Sequence, residues 1–170
     1  MPTFRERIKY GTAFDATITL ASLASDTNLL AGAESDAIDN STEGYSDLIV
    51  SGKITTGTSP TANRLIEVWA IGSWDGTTWP SVFDGTASAE TIPLSNVKTA
   101  ICKFIASILV TSTSNVEYLV ACASVAGGFG GVLPPKVAFF VTQSSAANLN
   151  STAGNHQIRV QPVYRQIESV

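Results

Sequence analysis

Ile101-Cys102-Lys103-Phe104-Ile105-Ala106-Ser107-Ile108-Leu109-Val110-Thr111 is the most apolar strand-like stretch of the chain. Four turn formers follow it, Ser112-Thr113-Ser114-Asn115, and then a second apolar run, Val116 to Val125. Two β-rich runs joined by so short a polar link read as a hairpin, which points to an antiparallel sheet. The same signals recur on both sides. Arg64 to Ser73 carries Leu65, Ile66, Val68, Trp69 and Ile71, and Lys136 to Gln143 carries Val137, Phe139, Phe140 and Val141. Gln157 to Ile167 alternates Ile158, Val160 and Val163 with Gln157, Arg159 and Gln161; Phe14 to Leu20 alternates as regularly. Tyr45 to Thr56 ends in the turn Gly57-Thr58-Ser59-Pro60, and Glu34 to Asn40 reads as a short polar strand. Helical spacing is confined to Thr91 to Ala106.

These are eight strand candidates without a repeat or a linker-like break. The expected fold is all-β: an eight-stranded antiparallel jelly-roll β-sandwich with a basic N-terminal arm. The arm is placed at residues 1–12 and a single sandwich domain at 13–170. An immunoglobulin-like sandwich is the near competitor, but it needs fewer strands and a cysteine pair that is not apparent here.

Composition narrows the function classes. The chain has 170 residues, enough for one domain with a substantial core. Only 14% are charged, and 19 Ser and 19 Thr fill the difference. A net charge of −4 gives no basic footprint for nucleic acid. No apolar run reaches the roughly 20 residues that span a bilayer, so no membrane partner is expected. The first residues show no apolar core of a secretory signal. Two cysteines, Cys102 and Cys122, are too few for a disulfide scaffold and read as small core residues that stay free in a reducing cytoplasm. No cofactor or metal is expected.

Several local features carry a functional and a plain reading side by side. Trp74-Asp75-Gly76-Thr77-Thr78-Trp79 reads as a hairpin turn with Trp74 and Trp79 across its mouth. The pair is either a platform for a sugar or a partner protein, or an aromatic staple. Gly127-Gly128-Phe129-Gly130-Gly131 lacks the Gly-Lys-Ser/Thr of a phosphate loop and reads as a contact loop around Phe129. His156 has no nucleophile elbow to serve, so no catalytic residue is assigned and no enzyme is expected. Glu34, Asp36 and Asp39 could collect a hard cation, or could belong to a solvated acidic face with Asp26, Glu43 and Asp47. Phe4, Arg5, Arg7 and Ile8 interleave apolar and basic groups, which suits either an arm crossing onto a neighbouring subunit or a frayed basic terminus.

The run Ile49-Val50-Ser51-Gly52-Lys53-Ile54-Thr55-Thr56-Gly57-Thr58-Ser59-Pro60-Thr61, with Ile66-Glu67-Val68-Trp69 after it, resembles small virion structural proteins of tailed bacteriophages. So does Gly130-Gly131-Val132-Leu133-Pro134-Pro135-Lys136, leading to Phe140-Val141-Thr142 and Asn155-His156-Gln157. The resemblance runs from about Leu20 to Tyr164 and brings no catalytic motif. It implies an accessory protein of the virion, assembled in the host bacterial cytoplasm, most like a head decoration (cement) protein. Its partners would then be the major capsid protein and further copies of itself as a homo-oligomer. A tail or baseplate piece, or a glycan-binding module using Trp74 and Trp79, are the alternatives.

Overall fold

In a computed structural model, which describes residues 4–169 and leaves the side chain of Ser169 out, strands take 47% of the chain and helices 11%. The protein is an all-β sandwich of antiparallel sheets. Eleven strands are described: β1 (Phe4–Tyr10), β2 (Phe14–Asp15), β3 (Ala31–Glu34), β4 (Ile38–Asp39), β5 (Asp47–Thr55), β6 (Arg64–Ser73), β7 (Ala89–Thr91), β8 (Lys103–Val110), β9 (Glu117–Ser124), β10 (Lys136–Gln143) and β11 (Gln157–Ser169). Short helices α1 (Asn40–Glu43), α2 (Ser95–Ile101) and α3 (Val125–Gly128) sit in the connections. The first sheet runs β1-β11-β5-β9, with β2 also on β11; the second runs β7-β3-β10-β6-β8, with β4 also on β10.

Period-two patterning explains the interior. Leu48, Val50 and Ile54 of β5 and Ile158 and Val160 of β11 point inward from the first sheet. Ile66 and Val68 of β6, Ile108 and Val110 of β8, and Val137, Phe139 and Val141 of β10 meet them from the second. Gly52 lets the first sheet close, because a Cβ there would lie 2.0 Å from the carbonyl oxygen of Gln157 on β11.

The second sheet is also covered on its outside. Ile71 and Phe140 face a second cluster with Phe83, Ile92 and Cys102, all supplied by the long excursion between β6 and β8. Phe140 and Phe83 meet edge to face at 5.1 Å. Burial of both faces is why Lys136–Gln143 is a continuous apolar run and not an alternating one. Lys98 of α2 fastens this cover. Its ammonium is buried and donates to Glu67 Oε2 (2.8 Å), Thr142 Oγ1 (3.0 Å) and the Leu29 carbonyl (2.5 Å), while lying 4.8 Å from the Trp69 ring centre.

Three expectations change. Ser112–Asn115 is not a hairpin loop: β8 and β9 belong to different sheets, so the turn carries the chain across the sandwich. Of Phe14–Leu20, only Phe14–Asp15 is strand, and Ile18 makes an isolated bridge to Ser35 on the other sheet. The alternation there marks a crossing between layers. Residues 4–10 of the expected arm are a strand, β1, paired along its whole length with the last half of β11.

Replacing Lys98 by Met leaves the partly buried Glu67 carboxylate with Trp69 Nε1 (3.0 Å) as its remaining donor and is expected to cost about 2–4 kcal/mol in urea unfolding. Adding Glu67→Gln to that variant should restore a good part of the loss, as a double-mutant cycle would show.

Candidate functional site

Strand direction gathers the loops at two ends of the sandwich. β5 starts, β11 passes Val163, β9 ends, β10 starts and β6 ends at one of them. At that end β11 continues beyond its last partner on β5, Asp47, with only β1 beside it. The result is a two-stranded ribbon of residues 4–10 and 163–169. The ion pairs Arg7–Glu168 (3.1 Å) and Arg165–Glu6 (3.4 Å) brace it across the strands. The register places Phe4, Glu6, Ile8 and Tyr10 on one face with Val163, Arg165 and Ile167. Phe4, Ile8, Tyr10 and Ile167 are 64–71% exposed, a concentration of apolar surface on a projecting element. Arg5, Arg7 and Lys9 occupy the other face, and Arg5 and Arg7 are exposed as well. An open cleft at the root of the ribbon is lined by Lys9, Tyr10, Tyr164, Arg165 and Gln166.

The Trp74 turn and the glycine loop lie at this same end. The side chain and backbone amide of Thr78 (amide 2.6 Å), the Thr77 amide (2.8 Å) and Ser73 Oγ all donate to Asp75 and hold its carboxyl far below the usual carboxylate range. This is a self-capped turn and not a hairpin, since the strands beside β6 are β10 and β8. Trp74 is 59% exposed and meets Phe129 edge-on at 6.1 Å. Trp79 instead tucks under Gly85, whose left-handed φ of 77° and lack of a Cβ let the indole approach. The two indoles thus do not staple each other, although both line one open depression with Asp75 and Thr78. The glycine loop is anchored by Asp47, a role the sequence reading missed: its carboxylate accepts from Ala126 N (2.8 Å) and Ser124 Oγ (2.6 Å). Asp47 follows a polar turn in sequence, and only the fold brings it to residues 124–126.

Three more acids of the early window are held by backbone amides, while Glu43 stays exposed. Asp26 accepts from the amides of Asn28, Leu30 and Ala31, Asp36 from Ala87, and Asp39 caps α1 through Ser41. Glu34 is not part of a solvated face. It is buried on β3 and accepts from Gly85 N (2.8 Å) and Asp84 N (3.4 Å); burial pushes its carboxyl up to about 7. Among the described residues no group of three or more His, Cys, Asp and Glu could hold a metal ion. His156 pins a loop: the Thr55 amide approaches Nδ1 (3.4 Å), and Nε2 lies 2.8 Å from the Asn150 carbonyl. Cys102 is a core residue whose thiol is pushed up to about 12 by burial, whereas Cys122 is exposed on β9 and not in the core.

The opposite end is chemically different. Three of its loops, residues 56–63, 111–116 and 144–156, contain no Asp, Glu, Lys or Arg, and the fourth, residues 21–30, brings Asp26 alone. They are knitted together by neutral hydrogen bonds, such as Asn150 Nδ2 to Asn115 Oδ1 (3.0 Å), Ser59 N to Ser114 Oγ (2.8 Å) and Thr61 N to the Ser145 carbonyl (2.7 Å). Among the described residues no helix is long and apolar enough to cross a membrane. No protein-family model, curated protein or solved structure matches the chain.

Two outcomes test this description. Glu34 binds a proton more tightly folded than unfolded, so its contribution is complete below its unfolded value near 4.5 and is lost as pH rises through about 7. Wild type should therefore lose on the order of 1–3 kcal/mol relative to Glu34→Gln between pH 5 and pH 8 in parallel chemical melts. A maleimide added to the native protein should modify Cys122 promptly and Cys102 only after unfolding.

Proposed function

We propose that the protein is a non-enzymatic structural component of a tailed-phage virion that docks on the major capsid protein and reinforces the head. The observation that carries the reading is the projecting ribbon, with Phe4, Ile8, Tyr10 and Ile167 turned to solvent at the same end as Trp74 and the Phe129 loop. A surface of exposed apolar groups on a rigid β scaffold suits contact with another protein. Decoration adds a small buried area at each joint and repeats it by symmetry.

A jelly roll is the finer fold we propose. Counting β1 with β2 and β3 with β4 as interrupted single strands, and β7 as an edge addition, leaves eight principal strands. The first then pairs with the eighth, the second with the seventh, the third with the sixth and the fourth with the fifth, alternately in the two sheets. That order is what a long two-legged hairpin adopts when it is rolled up, and jelly rolls serve in viral capsid and lectin domains. Function is still argued from the site, because a fold of this kind hosts many activities.

Glycan binding is the second reading, favoured by the depression that Trp74 and Trp79 share. The half-buried seat of Trp79 against Gly85 leaves the more exposed Trp74 as its main stacking surface.

Purified protein mixed with expanded heads should co-sediment at a fixed ratio to the capsid protein. Ile8→Asp should weaken that binding about tenfold or more and Trp74→Ala should leave it within a few-fold; glycan binding lost in Trp74→Ala would favour the second reading. Association with tails and not heads would overturn the decoration reading in favour of a tail or baseplate role.

A further inference from the structure

The first sheet ends in two edges, β1 on one flank and β9 on the other. β9, Glu117-Tyr118-Leu119-Val120-Ala121-Cys122-Ala123-Ser124, is eight residues long and has a single charge and no proline. A nearly uncharged edge is a template for pairing with another strand, and proteins usually blunt such edges with charge, Pro or a bulge; β9 carries one bulge, where Ala121 and Cys122 stand against Ser51 alone, so the flat, open part of this edge is Glu117–Val120. Leu119 on this strand is 75% exposed and sits opposite Lys53, on the outer face of the sheet.

The other edge offers a partner in phase with the Glu117–Val120 part of β9. β1 has seven residues. Its apolar members, Phe4, Ile8 and Tyr10, lie on that same outer face, because Tyr10 stands opposite Val163 while Ile158 and Val160 of β11 point inward. β1 cannot readily pair with its own copy. In antiparallel two-fold registers Arg7 would face Arg7, Arg5 or Lys9, and like charges directly opposite are destabilising. Charge is also segregated over the molecule. The ribbon holds four basic and two acidic side chains, which leaves six basic against twelve acidic for the rest.

We infer that the β1 edge of one copy pairs with the β9 edge of a second copy, head to tail, continuing the first sheet across the contact. Backbone hydrogen bonds supply the contact, and Phe4 and Ile8 pack beside Leu119 on the shared outer face. The cations of β1 meet the acidic body of the neighbour. The contact is heterologous, so each copy has one donor and one acceptor edge. This shares the β1 surface with the particle reading but fails separately from it: a monomer that binds heads overturns this inference alone, an oligomer that ignores heads overturns the other alone, and Leu119→Asp, which leaves β1 intact, separates loss of self-association from loss of head binding.

Sedimentation of the full chain over a concentration series is the test. Wild type should associate reversibly. Ile8→Asp (damaged donor) and Leu119→Asp (damaged acceptor) should each raise the dissociation constant about tenfold or more, with wild-type melting curves because both side chains are exposed. Mixing the two variants should restore a dimer, since the intact acceptor of one meets the intact donor of the other. Ile8→Cys and Leu119→Cys, each made in a Cys122→Ser background, should form an intermolecular disulfide when mixed under mild oxidation, and neither should crosslink alone. A monomeric wild type, variants that associate like wild type, a mixture that stays monomeric, or a mixture of the two cysteine variants that yields no disulfide between them would each overturn the inference.

Discussion

The arrangement depends on one strand that is buried on both sides. β10 places Phe139 in the space between the sheets and Phe140 on the outside, and neither touches solvent. An antiparallel sheet commonly leaves one face to water, with apolar and polar residues alternating along each strand. Adjacent buried phenylalanines forbid that, so the second sheet needs an external cover. The excursion from Ser73 to Lys103 provides it through Phe83, Ile92 and Cys102. Once this segment lies over the sheet, Lys98 has no path to water. It is retained because Glu67, Thr142 and the Leu29 carbonyl complete its hydrogen bonding. Glu34 is trapped under the same cover, which is why burial dominates its titration.

What could be read from sequence was whatever the local pattern alone determines. Arg64–Ser73 and Lys136–Gln143 have the bounds that their apolar runs indicate. The crossings could not be read in this way. Ser112–Asn115 has turn chemistry whether the flanking strands pair or part, and the difference lies in which neighbours β8 and β9 find elsewhere. Phe14–Leu20 has a clean alternation, yet Ala16 N bonds to Ile158 in one sheet while the Thr17 carbonyl accepts from Asp36 N beside the other. β1 was hidden for the opposite reason. Its charged residues resemble a solvated tail, and its partner strand lies at the far end of the chain.

The candidate site divides along the same line. Exposure of Phe4, Ile8 and Trp74 was foreseeable from apolar residues set among charged or turn residues. The separate fates of Trp74 and Trp79 were not, because Gly85 decides one and Phe129 the other. The acids were misread for a related reason. A cluster in sequence suggests a charged face, whereas a carboxylate near a turn has backbone amides within reach, and those compete with solvent and cations alike.

Low charge is therefore a placed property and not a general one. Three uncharged loops at one end of the sandwich replace ion pairs with hydrogen bonds among Ser, Thr and Asn, and these are insensitive to salt. Of the acids, Asp26, Asp36, Asp39, Asp47 and Asp75 are engaged by backbone amides. Against that background the cations of the ribbon stand out, since only Glu6 and Glu168 pair with them on the ribbon itself. At physiological ionic strength the Debye length is about 8 Å, so these charges act mainly at contact distance. Orientation and register are what they can supply. Affinity must come from Phe4, Ile8, Tyr10 and Ile167, whose burial a partner would complete, at about 25 cal/mol for each Å² of apolar surface removed from water before the costs of association.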